Sequence, residues 1–141
     1  MKLLGLDFGE RRIGVAVSDP LGALAQPATA IERASMPEDI EKINWLIRRH
    51  QVNTIVLGLP LSMDGTVGTQ AKRVKRFAGR LKRELHVEVV LWDERLSTVE
   101  AERSLLEADL RRAERRATRD SVAAALVLQS YLDAQQRSRN Q

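Results

Sequence analysis

Apolar residues early in this chain fall in short runs closed by turn-forming residues, whereas from about residue 37 helical spacing alternates with short β-rich runs. The stretch 2–8 is short, apolar and followed by glycine, which predicts a strand. Gly9-Glu10-Arg11-Arg12 is a tight connection to a second strand over 13–17, and Ser18-Asp19-Pro20-Leu21-Gly22 carries turn chemistry. A weaker third strand is expected within 23–31. The period then changes. Residues 37–50 place Ile40, Ile43, Leu46 and Ile47 on one face of a helix that has Pro37 in its first turn. A strand over 54–59, a loop over 60–68 and a helix over 69–85 follow, the last with Ala71, Val74, Phe77, Ala78 and Leu81 inward. The stretch 87–92 reads as a strand. Ser97 and Glu100 fit a capping box for a helix to about residue 108, and 110–117 is arginine-rich and ambiguous. A final helix is expected over 119–134, with 135–141 a disordered polar tail.

Connections as short as the first two cannot cross over a sheet, so strands 1–3 should form an antiparallel meander. The fourth and fifth strands each follow a helix, and right-handed crossovers make them parallel to the first. The expected fold is therefore α/β: a five-stranded mixed sheet flanked by helices. With no repeats and no linker, residues 1–141 read as a single domain.

Parallel strands share an edge, and open α/β sheets bind ligands at their carboxyl edge. Here that edge gathers Asp7, the Gly58-Leu59-Pro60 loop and Asp93-Glu94. A third acid, Asp120, shares a helix face with Ala123, Ala124, Val127 and Tyr131, and a carboxylate on an apolar stripe needs a partner. The helix dipole could serve, or a cation shared with Asp7 and Glu94.

Composition narrows the chemistry. There is no cysteine, which excludes disulfides, thiolate metal sites and cysteine nucleophiles. Three carboxylates make a hard, oxygen-only site suited to Mg²⁺ or Mn²⁺, as one ion or as two that clamp a phosphodiester. The two histidines, His50 and His86, lie away from that edge and read as surface residues. The net charge is +4, with basic clusters over 72–83 and 111–119, so a polyanionic partner is expected. Gly9, Arg12 and Arg95 flank the acids and are candidates to meet substrate, as are Lys72 and Arg76 on the basic helix. Arg95 could instead pair with Glu94. The loop over 58–68, with Thr66 and Thr69, could turn backbone N–H groups to a phosphate, or be only a loop. The acid at position 7 interrupts any signal-peptide core, and the apolar run 122–128 is far below the roughly 18 residues of a membrane span. A cytoplasmic protein with no membrane partner is expected.

Four blocks in order give a resemblance to a known family: Asp7-Phe8-Gly9-Glu10-Arg11-Arg12-Ile13-Gly14-Val15-Ala16; Gly58-Leu59-Pro60 with Asp64-Gly65-Thr66; Asp93-Glu94-Arg95-Leu96-Ser97-Thr98 with Ala101; and Asp120 with Ala123-Ala124 and Leu128-Gln129-Ser130-Tyr131-Leu132. Together they resemble the YqgF/RuvX family, relatives of the Holliday-junction resolvase RuvC. The resemblance implies an RNase H-like fold and a nuclease processing the 5′ end of the small-subunit (16S) ribosomal RNA precursor. It also implies that Asp7, Glu94 and Asp120 are the metal-binding catalytic acids. RNA is thus the expected partner. The alternatives are a resolvase-type nuclease acting on branched DNA, which would work as a homodimer, and a non-catalytic nucleic-acid-binding module. A sugar-kinase-like phosphotransferase also opens on an Asp-x-Gly turn, but closes two such domains around a nucleotide.

Overall fold

The structure is a computed structural model that describes residues 2–62, 64–96 and 119–140. Five strands form one sheet in the order β3-β2-β1-β4-β5. Strands β1 (Lys2–Phe8), β2 (Arg12–Ser18) and β3 (Ala25–Glu32) pair antiparallel; β4 (Val52–Leu59) and β5 (Glu88–Asp93) continue the sheet parallel to β1. This is the expected mixed topology. Helix α1 (Met36–His50) joins β3 to β4, and α2 (Thr69–Glu84) joins β4 to β5. A 3₁₀ turn, Glu94–Leu96, follows β5, and helix α3 (Arg119–Arg139) comes last among the described residues. The helix expected from Ser97 to about residue 108 and the ambiguous arginine-rich stretch lie outside the described residues.

Alternation along the strands sorts two cores. Leu4, Leu6, Phe8, Ile13, Val15, Ile55 and Leu57 face α1 and α2, meeting Ile40, Ile43, Val74, Phe77 and Leu81. The opposite face carries Gly5, Gly14, Ala16 and Val56, against which α3 lies with Ala124, Ala125 and Leu128. The small strand residues let α3 come unusually near. A methyl group at Gly5 would lie 2.7 Å from Leu128 Cβ, and one at Gly14 only 1.9 Å from the Asp120 carbonyl oxygen.

Two features of the last helix differ from the sequence reading. Helix α3 reaches Arg139, so most of the stretch expected to be a disordered tail is helical. Its Gln135, Gln136 and Arg137 lack apolar periodicity but are acceptable helix formers that extend a helix already docked. The deepest stripe of α3 is Ser121, Ala124, Ala125, Leu128 and Leu132, one position round from the stripe that begins at Asp120. Contact with glycine and alanine, rather than with large apolar side chains, sets that rotation. No helix among the described residues is long and apolar enough to cross a membrane.

Candidate active site

Strand alternation puts Asp7 on the α3 face, because its neighbours Leu6 and Phe8 fill the other core. Gly14 is its cross-strand partner in β2. On the other side of β1, β4 contributes Gly58, which pairs with Trp92 of β5. Glu94 follows β5 directly, and its side chain lies across Gly58: a methyl group there would be 2.6 Å from Glu94 Oε1. Gly58 is the gap through which the Glu94 carboxyl comes within interaction range of Asp7. Burial, together with the neighbouring Asp7 and the charge of Asp93, pushes the Glu94 carboxyl up to about 8.

The 3₁₀ turn carrying Glu94 is fastened to α3. Ser130 Oγ donates to the Leu96 carbonyl at 2.8 Å and accepts from Trp92 Nε1 at 3.1 Å, while Trp92 meets Tyr131 edge to face. Arg95 does not pair with Glu94. Its guanidinium binds both oxygens of Asp93, with Nη2 to Oδ2 at 2.7 Å, and holds the Asp93 carboxyl below its ordinary value.

Asp120 arrives from α3, its backbone seated on Gly14 beside Asp7. Its carboxylate is a third exposed and stands 3.5 Å from Arg12. The structure therefore brings Asp7 and Glu94 into contact and sets Asp120 at the rim with a basic partner. No group of three His, Asp or Glu side chains arranged to hold an ion occurs among the described residues. The two carboxylates in contact nonetheless suit a divalent cation. They are oxygen donors, and two neighbouring carboxylates repel unless a proton or a cation offsets the charge.

The other expected substrate residues are dispersed. Gly9 closes the β1–β2 turn, its amide donating to the Arg12 carbonyl at 2.9 Å; a methyl group there would lie 2.8 Å from that oxygen. Lys72 and Arg76 sit on α2, across the sheet from the carboxylates, with Lys72 exposed. The amide and hydroxyl of Thr66 both donate to Asp64 Oδ1, so in the 58–68 loop that amide is committed internally. Gly14, Gly58 and Ser130 are the site residues whose roles the sequence reading missed. Glycine inside a strand is the signal that could have marked the first two as places of close approach.

The RuvX family model, described as a Holliday junction resolvase, matches residues 1–134. A Clostridium botulinum (strain Hall) protein named as a candidate pre-16S rRNA nuclease is 49% identical over 134 residues, covering 95% of this chain and 98% of that protein. A Thermoanaerobacter pseudethanolicus protein of the same name is 48% identical over 136 residues, covering 96% and 98%. Among solved structures, RuvC of T. thermophilus in complex with a Holliday junction substrate superposes with a TM-score of 0.67 at 14% identity, covering 96% of each chain. The fowlpox virus Holliday junction resolvase gives 0.53 at 10% identity, covering 96% of this chain and 99% of that one. The fold is accordingly the RNase H-like one of RuvC-type resolvases.

Proposed function

The chain belongs to the RuvX family, and from that premise we propose that it is a cytoplasmic, divalent-metal-dependent endonuclease that hydrolyses phosphodiester bonds at the 5′ end of pre-16S ribosomal RNA. The observation that carries this reading is the Asp7–Glu94 contact across Gly58, at the sheet edge where ligands of such folds bind. Asp7 and Glu94 hold the ion, and Asp120, whose carboxylate now stands beside Arg12, is the third acid. A bound Mg²⁺ or Mn²⁺ supplies Lewis-acid stabilisation of charge on the phosphate and activation of water. Arg12 restrains Asp120 and lies where it can also meet a phosphate oxygen. Arg95 fixes Asp93 and with it the turn that aims Glu94. Gly9 keeps the turn beside them compact.

The names of the curated relatives support RNA as the substrate. A second reading, cleavage of branched DNA by a homodimer, has the family's own description in its favour. The test compares purified protein on precursor RNA and on a four-way DNA junction, with Mn²⁺ and with chelator. Cleavage of RNA that chelator abolishes is expected. Asp7→Asn should lower it by about 10²–10³-fold while leaving binding largely intact, because phosphate contacts elsewhere remain. Full cleavage by Asp7→Asn would overturn the mechanism. Cleavage of the junction alone would transfer the assignment to DNA, and binding without cleavage of either would leave a non-catalytic module.

A further inference from the structure

The carboxylate edge leaves unused the most basic feature of the molecule. On the opposite face of the sheet a groove of about 630 Å³ runs between α2 and the start of α1. Its walls carry Arg33 and, from α2, Arg73, Lys75, Arg76, Arg80 and Arg83. Helix α2 has no acid before Glu84, and that residue is taken up by Arg80 at 2.7 Å. Arg73, Lys75, Arg76 and Arg83 form no ion pair with any described residue. Arg33 faces the buried Asp39 at 4.0 Å, so four of the six groove cations are left without an ion-pair partner among the described residues; these repel one another, and a polyanion relieves that repulsion.

Two further observations point to an occupant. Gly79 lies in the middle of α2 and borders the groove, yet a methyl group there would meet nothing within 4 Å. Packing does not require glycine at this position, and glycine weakens a helix. The missing side chain leaves the groove floor bare at this point. Arg33, in turn, is held rigidly. Its guanidinium stacks over the Phe8 ring at 4.2 Å, and Nη1 donates to the Gly9 and Glu10 carbonyls at 3.0 and 3.2 Å. Arg33 thereby joins the groove to the β1–β2 turn, whose other end carries Arg12 toward Asp120. Phe8 is covered by Arg33 and Phe77, so the groove offers guanidinium groups rather than a stacking platform.

We propose that this groove binds the phosphate backbone of a single-stranded segment of the same nucleic acid that is cut at the carboxylates, the strand passing over the sheet edge at the Gly9–Arg12 turn. The proposal rests on the nuclease reading for its substrate class. It is tested by binding of a fluorescent single-stranded RNA in chelator, where no cleavage is expected, over a series of salt concentrations. The triple variant Arg73→Gln/Arg76→Gln/Arg83→Gln should bind at least tenfold more weakly. Its log–log salt dependence should be shallower by about 2, since each lost phosphate contact on a single strand contributes roughly 0.7. Gly79→Glu, whose Cβ meets open space, adds a carboxylate beside the groove and should weaken binding; Gly79→Ala should raise the melting temperature and leave binding unchanged, which separates the charge from the added side chain. Wild-type affinity and salt dependence in the triple variant would overturn the proposal, and would leave an acidic protein segment as the occupant. That failure is separable from failure of the nuclease reading, which is scored by cleavage with Asp7→Asn and not by binding in chelator.

Discussion

Toward α1 and α2 the sheet presents Leu4, Leu6, Ile13, Ile55 and Leu57, all fully buried; toward α3 it presents Gly5, Gly14, Ala16, Val56 and Gly58. The first set fills space with large side chains, and there most of the apolar area leaves water. The second set, Val56 apart, is glycine and alanine, and its contribution is proximity. It lets the α3 main chain and the Glu94 side chain come within reach of Asp7. One sheet thickness separates what holds the molecule together from what it does chemically. Substitutions on the two faces should therefore separate stability from activity.

The largest expected effect belongs to the large-residue face. Ile43→Ala removes a fully buried α1 side chain and should cost about 2–5 kcal/mol, read by urea unfolding. Cleavage per folded molecule should hardly change; a parallel loss of specific activity would break the division between the faces. Next comes Gly14→Ala. The added methyl collides with the Asp120 backbone, so α3 must shift. A cost of about 1–3 kcal/mol is expected, with cleavage down by roughly 10²-fold through misplacement of Asp120. Unchanged cleavage in a folded Gly14→Ala protein would remove Asp120 from the site.

The smallest effect is a pH dependence. Burial and the neighbouring Asp7 push the Glu94 carboxyl up to about 8 from its ordinary value of 4.5, and chelator keeps a cation from offsetting that push. Its favourable contribution is complete below that ordinary value and is lost as pH rises through the folded one. Wild-type stability should accordingly fall between pH 5 and 8.5 by something on the order of 1 kcal/mol after solvent screening. Glu94→Gln should lack that slope, and added Mn²⁺ should flatten it in the wild type. Parallel curves for the two proteins would show that the carboxylates do not share this site as described.

Much of this arrangement was legible in the chain. Short connections dictated the antiparallel meander and helical crossovers the parallel strands, and together these put Asp7 and Glu94 on one edge although 87 positions separate them. What was not legible depends on close three-dimensional approach. Arg12 was readable as a partner for phosphate or carboxylate, but only the seating of α3 on Gly14 makes Asp120 that carboxylate. Sequence adjacency offers Glu94 as a partner for Arg95, whereas the turn after β5 points it back to Asp93. Lys72 and Arg76 are legible as basic helix positions for a polyanion, but which face of the sheet their helix covers is not written in the sequence.

The Gln129 side chain has a consequence for the order of events in a growing polypeptide. It accepts from the Ala25 amide at 2.8 Å and donates to the Ala23 carbonyl at 2.9 Å, so the final helix is latched to a hairpin made near the start. Asp7 is synthesised early, Glu94 much later, and Asp120 only with the helix that the latch secures. Under the proposed mechanism, a nascent chain lacks the full set of acids until this helix has been made and latched.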